Sequence, residues 1–232
     1  MRMITIAEKS RQMATKKKKA AAPAGQAART AAMRARLIAA TKQSLLEMGY
    51  GRTTAVEVCA RAGVTRGALL HHFAGLPELF AATLEAYYVE MLTRSNEGAR
   101  QSNNALCDYI DVCWARFGRT DFKIVIEAWL AARNDTDLRK EIEPVIRRFW
   151  RLAAPEQNPV LAERVGRGAN QIAFYRLVLE SMIGMALGRA VTPEGSLGHE
   201  DKVVDLLKEI ARARTRSRRT RLSARTRSLE SN

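Results

Sequence analysis

"TAVEVCARAGVTRGALLHHF", residues 54–73, holds two short helical patterns separated by a tight turn at Gly63. Thr54 stands where the first helix begins and is followed three residues later by a glutamate, the pattern of a capping box. Gly63 ends that helix, and Thr65 caps a second helix that runs to Phe73. Because the turn is too short for the helices to lie antiparallel, we predict a steeply crossed helix-turn-helix.

The two faces of this motif differ in composition. The apolar side chains that helical spacing brings together between the two helices are Val58, Cys59, Ala62, Val64, Leu69 and Phe73. The opposite face of the second helix carries Arg66, Gly67, Leu70 and His71. Small and polar residues at an outward N-terminal turn suit insertion into the major groove of DNA. We therefore predict that the motif binds double-stranded DNA.

Helical periodicity continues on both sides of the motif. An amphipathic helix from Ala31 ends at Gly49, and another runs from Leu76 to about Arg94. Beyond a loop at 95–104 we predict five further helices, at 105–117, 121–133, 137–152, 159–190 and 199–214. No stretch alternates with the period of a strand. The predicted fold is all-α, with an N-terminal three-helix helix-turn-helix DNA-binding domain at 31–91 and a C-terminal helical domain at 95–214.

Positive charge is concentrated at the two ends of the chain. Residues 1–36 hold ten basic side chains and one acidic one, and residues 211–232 hold eight and one. Of the net charge of +15, residues 37–210 therefore carry only −1. We predict a disordered basic arm at 1–30 and a basic tail at 215–232. Both DNA contact and a purely solubilising role remain open for these ends.

Several classes of protein are excluded by what the sequence lacks. The three cysteines show no paired spacing, which favours buried thiols in a reducing compartment. The sequence contains neither a signal-peptide core nor an apolar run long enough to span a bilayer, so we expect a cytoplasmic protein without a membrane partner. Adjacent histidines on a helix diverge by about 100°, which argues against a metal site at His71 and His72. Without a catalytic or cofactor motif, we expect neither enzymatic activity nor a cofactor.

With the flanking helix "RARLIAATKQSLLEMGYGRT" before it and "AGLPELFAATLEAYY" after it, the motif resembles the DNA-binding domain of the TetR family of transcriptional regulators. The resemblance covers residues 31–91, about a quarter of the chain. It implies a homodimer that binds a palindromic operator, in most cases as a repressor. It also implies that the C-terminal domain binds a small-molecule effector, dimerises, and releases the operator when the effector enters.

Roles in DNA binding can be transferred to matching positions. Thr54 and Thr65 would approach phosphates at the starts of the two motif helices. Arg66 would read a guanine, because its guanidinium matches the O6 and N7 acceptors.

The next turn of the second helix completes the implied contact set. Gly67 and Ala68 would allow close approach, and the Ala68 methyl could touch a thymine methyl. His71 would reach a base or a phosphate, and His72 a phosphate.

Two positions depart from the family pattern. The family usually has a phosphate-binding tyrosine where this chain has Leu70, and a phosphate-binding lysine where it has Leu76. A helical effector-binding protein with a weakened DNA-binding motif is therefore one alternative. A basic architectural protein that coats DNA without sequence choice is another.

The C-terminal half offers candidates for the two remaining functions. A pocket for a small apolar effector would be lined by aromatic and methionine side chains, namely Trp114, Phe117, Trp129, Phe149, Phe174 and Met182. A dimer interface would use Gly184, Met185 and Gly188, because small residues let a second helix approach closely. Packing within one subunit remains the alternative for both sets.

Overall fold

A computed structural model of the chain describes residues 6–101, 106–192 and 194–214. These residues contain ten α-helices and no strand, which confirms the all-α prediction. The helices are α1 (Ile6–Met48), α2 (Ala55–Ala62), α3 (Arg66–His72), α4 (Leu76–Gln101), α5 (Cys107–Phe117), α6 (Lys123–Asn134), α7 (Thr136–Ala153), α8 (Pro159–Val165), α9 (Ala169–Val191) and α10 (200–214). Short 3-10 turns occupy Tyr50–Arg52 and Thr120–Phe122.

The chain divides into two compact units, Met1–Thr83 and Leu84–Asn232. The division falls within α4, whereas we predicted a domain boundary between residues 91 and 95. Helix α4 continues to Gln101, so residues 95–101 of the predicted loop are helical. Polar composition suggested a loop there, yet most of these residues also tolerate an exposed helix.

Helix α1 is much longer than predicted. It begins at Ile6, whereas we predicted a disordered arm at 1–30. Alanine, lysine, arginine and glutamine are all strong helix formers, so the segment can be helical without an apolar face. Residues 25–32 are exposed, consistent with the absence of an apolar period there. The predicted basic tail at 215–232 lies outside the described residues.

The predicted helix at 159–190 is two helices. Gly166 has φ 92°, a backbone conformation that ends α8, and Gly168 precedes the start of α9. Asn158 caps α8 by accepting hydrogen bonds from the backbone N–H groups of Val160 at 3.1 Å and Leu161 at 3.2 Å. The apolar period continues across the break, which is why periodicity alone did not reveal it.

Each unit has its own buried core. In the first unit, α1, α2, α3 and the start of α4 contribute side chains to one cluster: Leu37, Ala40, Val58, Cys59, Ala62, Leu69, Phe73 and Leu79. In the second unit, α5 packs on α9, and Ile110, Cys113, Val178 and Met182 are buried there. In the described part of the chain, no helix is long and apolar enough to cross a membrane.

Candidate DNA-binding site

The two motif helices begin and end as their local sequence predicts. Thr54 Oγ1 accepts a hydrogen bond from the backbone N–H of Glu57, and Thr65 Oγ1 accepts one from Ala68, both at 3.2 Å. Gly63 has φ 61° and ψ 43°, the left-handed conformation of a helix C-cap. These contacts confirm both N-caps and the turn between them.

Burial divides α3 into the two predicted faces. Leu69 and Phe73 are buried in the core of the first unit, which fixes how α3 rests on α1 and α2. Of the eight predicted DNA-binding residues, six are exposed and two half-buried: Thr54, Thr65, Arg66, Gly67, Leu70 and His71 are exposed, and Ala68 and His72 half-buried. Leu70 is 51% exposed.

The charges of the motif differ in how they are compensated. Arg61 of α2 forms ion pairs with Glu47 at 2.8 Å and Glu57 at 2.7 Å, and its hydrogen bonds, to Glu57 first and then to Glu47, raise its pKa. Arg66 forms no ion pair with any acidic side chain of the described residues. Arg61 therefore serves the fold, while the guanidinium of Arg66 is available for an external acceptor.

Two arginines of α1 brace the motif, and we did not single them out from the sequence. An Nη of Arg34 donates to the backbone carbonyl of His72, and its guanidinium lies 4.0 Å from the ring centroid of Phe73. Arg36 Nη2 donates to the carbonyl of Gly63 at 3.4 Å. The positive charge of residues 1–36 left DNA contact and a solubilising role open, and no local pattern predicts these long-range hydrogen bonds to backbone carbonyls.

Leu76, where the family usually has a lysine, has a structural role in this chain. Its side chain is half-buried and packs against the core cluster of the first unit. The exchange thus removes a cation from the start of α4 and adds an apolar contact. Leu70, by contrast, adds nothing to the core and remains on the exposed face.

Two cavities of the second unit bear on the predicted effector pocket, which stays a prediction. One has a volume of about 250 Å³, and the other, about 30 Å³. Phe117 lines both cavities and Phe149 lines the smaller, but Trp114, Trp129, Phe174 and Met182 line neither.

The four other side chains are held by packing within the unit. Trp129 Nε1 donates to the hydroxyl of Tyr88 at 3.1 Å, and Met182 is fully buried. The Trp114 ring lies 5.3 Å from the guanidinium of Arg189, and Phe174 is buried.

The three residues of the predicted dimer interface differ in how the subunit uses them, and the interface itself stays a prediction. Met185 is buried within the unit, and a Cβ at Gly188 would come within 2.6 Å of Leu197 Cδ1, so both are used by internal packing. Gly184 is exposed, and a Cβ placed there would meet nothing within 4 Å. Helical spacing places it among exposed apolar residues of α9: Leu177, Leu187 and Val191, at 49%, 44% and 79% exposure. We call these three with Gly184 the α9 stripe.

Comparison with known proteins identifies the motif. The sequence profile described as "Bacterial regulatory proteins, tetR family" matches residues 37–83, which contain α2, α3 and the N-caps described above. Over these residues the chain is similar to the TetR family. The HTH-type transcriptional regulator CymR of Pseudomonas putida is 32% identical over 126 residues, which make up 53% of this chain and 62% of CymR. The chain thus aligns with less than two thirds of the length of this relative.

Two solved structures share the fold of this chain. A transcriptional regulator from Rhodococcus sp. Rha1 has a TM-score of 0.61 at 23% identity, covering 77% of this chain and 95% of its own. The SmeT–triclosan complex has a TM-score of 0.56 at 22% identity, and the match covers 78% of this chain and 90% of the SmeT chain. At such identities these two structures establish the fold alone. CymR and the Rhodococcus protein are both named transcriptional regulators.

Proposed function

We propose that this chain is a sequence-specific regulator of the TetR family that binds a palindromic operator as a homodimer and represses transcription. The observation that carries the proposal is the exposed outer face of α3, where Arg66 is unpaired among the described residues while Leu69 and Phe73 fix the helix from behind. A bound dimer is sufficient to block polymerase, which favours repression over activation. Mapping the genomic sites bound by the protein tests this: we expect discrete palindromic sites.

The eight predicted DNA-binding residues of the motif take distinct roles in this proposal. Arg66 reads a guanine through a bidentate pair of hydrogen bonds, and Gly67 lets the backbone approach the base edges. Ala68 and Leu70 contact thymine methyl groups. The remaining four residues position the motif through phosphates or base edges: Thr54, Thr65, His71 and His72.

Leu70 offers a test that isolates a single methyl group. Replacing a contacted thymine in the operator by uracil removes only that methyl, at a cost of about 1 kcal/mol, or roughly fivefold in affinity. We expect each half-site to contain one thymine whose replacement weakens binding of the wild type but not of Leu70→Ala. Val89→Ala, at an exposed position of the second unit, should retain the wild-type response. A Leu70→Ala protein that is equally sensitive to uracil at every position would remove Leu70 from base reading.

Dimerisation and effector release complete the proposal. The α9 stripe provides an unpartnered apolar face for a second copy, and a symmetric dimer would present two copies of α3 to half-sites about 34–36 Å apart, or a multiple. The complex of SmeT with triclosan supports a small-molecule effector, which would act by disfavouring this spacing. Because its operator is chromosomal, we place the protein in the cytoplasm.

A further inference from the structure

The larger cavity of the second unit combines an apolar wall with positive charge. Apolar surface comes from α5, the 3-10 turn, α6 and α9, through Phe117, Phe122, Ile126, Ala186 and Ala190. Three cations also line it, Arg119, Lys123 and Arg189, against a single lining carboxylate, Glu194. At about 250 Å³ the cavity lies just below the roughly 300–1,000 Å³ of drug-sized sites, so it suits a small metabolite.

Arg189 is held in the cavity wall by several contacts. Its Nε donates to the carbonyl of Gly195 at 2.5 Å, and its guanidinium lies 5.3 Å from the ring centroid of Trp114. A Cβ at Gly118 would come within 3.0 Å of Arg189 Nη1, so the absent side chain at 118 leaves room for the guanidinium. The cation is therefore oriented before any ligand arrives, which lowers the entropic cost of binding an anion.

The nearest acid to Arg189 is largely engaged elsewhere. Glu200 lies 3.8 Å from Arg189 Nε, but its oxygens accept hydrogen bonds from the backbone N–H groups of Leu197 at 2.9 Å and His199 at 3.0 Å and from the Ser196 hydroxyl at 3.2 Å. These bonds, that of Leu197 first, lower the pKa of Glu200 to about 2. A carboxylate already satisfied in this way competes weakly for the remaining N–H groups of Arg189.

The other two lining cations differ in their engagement. Arg119 is paired with Asp121 through bonds of 3.2 and 3.4 Å, so it contributes little net charge. Lys123 is exposed and makes no ion pair with any acidic side chain of the described residues. Lys123 and Arg189 are therefore the two cations that an incoming anion would meet.

A buried charge beside the cavity adds to its positive potential. Arg116 precedes the lining residue Phe117, is 4% exposed, and has no hydrogen-bond partner for any guanidinium nitrogen among the described residues. Its guanidinium lies 4.8 Å from the ring centroid of Tyr87. Buried charges are screened much less than exposed ones, so Arg116 favours an anion nearby although it does not line the cavity.

We infer that this cavity binds a small amphipathic carboxylate, with its apolar body against Phe117, Phe122 and Ile126 and its carboxylate between Lys123 and Arg189. The ligand's role as the effector rests on the proposed function. The smaller cavity has no lysine, arginine or histidine in its lining and, at about 30 Å³, is too small for such a ligand.

Calorimetric titration of the full chain without DNA tests the site with three probes of one length: octanoate, octanol and octylamine. We expect octanoate to bind more tightly than either other probe. Lys123→Gln should weaken octanoate binding about fivefold, and Glu194→Gln should strengthen it about twofold, because both exposed charges act through a screened field. Neither variant should change octanol binding, and Lys140→Gln, on the exposed surface of α7, should leave all three affinities unchanged.

The variants at Lys123 and Glu194 are expected to change octanoate affinity in opposite directions, which distinguishes recognition of charge from a change in the shape of the cavity. Equal affinity for the three probes, absence of octanoate binding, or an unchanged octanoate affinity in Lys123→Gln would overturn the carboxylate site. Since the titration contains no DNA, such a result leaves the DNA-binding proposal standing. Conversely, loss of sequence-specific DNA binding would overturn the effector role and not the site.

Discussion

Replacement of Arg66 by alanine is expected to reduce operator affinity at least tenfold while leaving affinity for random DNA almost unchanged. A bidentate arginine–guanine pair contributes about 1–3 kcal/mol of discrimination, and a dimer uses two copies. The fold should tolerate the change, because Arg66 is exposed and pairs with no acidic side chain of the described residues. Binding titrations on a mapped operator and on random DNA of equal length measure both affinities.

Arg94→Ala provides the matched control for the loss of one positive charge. Arg94 is exposed in the second unit and pairs with Glu90 at 2.8 Å. Its replacement should leave the ratio of operator to random affinity intact. If Arg66→Ala keeps the wild-type ratio as well, Arg66 does not read the operator, and the alternative of a weakened DNA-binding motif gains support.

Gly184→Leu is expected to convert the dimer to a monomer and to lower operator affinity by a hundredfold or more. A leucine at the centre of the α9 stripe would hold a second helix away, whereas within one subunit a Cβ there meets nothing within 4 Å. Each subunit would then bind its half-site alone, and the gain in affinity that comes from linking two DNA-binding motifs in one dimer would be lost. Light scattering on the protein as it elutes from a size-exclusion column measures the molar mass of the variant. Thermal unfolding checks that its subunit still folds.

Glu141→Leu controls for the added apolar surface, since it places the same side chain at an exposed position of α7. This variant should stay dimeric and bind the operator normally. A fully dimeric Gly184→Leu protein would show that the α9 stripe is not the interface. Gly188→Leu is the poorer test, because the new side chain would collide with Leu197 inside the subunit.

The helix-turn-helix could be predicted because its signals are local. Two threonines accept N-cap hydrogen bonds three residues away, and Gly63 adopts the left-handed conformation that ends α2. The packed and the outward faces of α3 could be predicted from helical spacing alone, and in the structure Leu69 is buried and Leu70 exposed. Such features depend on a few neighbouring residues, so the sequence carries them in full.

The cavities could not be predicted in the same way. Periodicity identifies Trp129 and Met182 as apolar, but it does not tell a side chain that fills the core from one that borders a void. The larger cavity depends on non-local arrangements, such as Arg189 resting against Gly118. For the same reason, the hydrogen bond that Arg36 donates to the carbonyl of Gly63 could not be predicted from the sequence.

Competition between a mapped operator and excess random DNA tests sequence-specific regulation most directly. Specific affinity exceeds non-specific affinity by roughly 10³-fold or more for proteins of this kind, so the operator should stay bound at a thousandfold mass excess of competitor. The wild-type protein is expected to retain its footprint under these conditions, and Arg66→Ala to lose it. Displacement of the wild type in proportion to added competitor would contradict the account and would identify a protein that coats DNA without sequence choice.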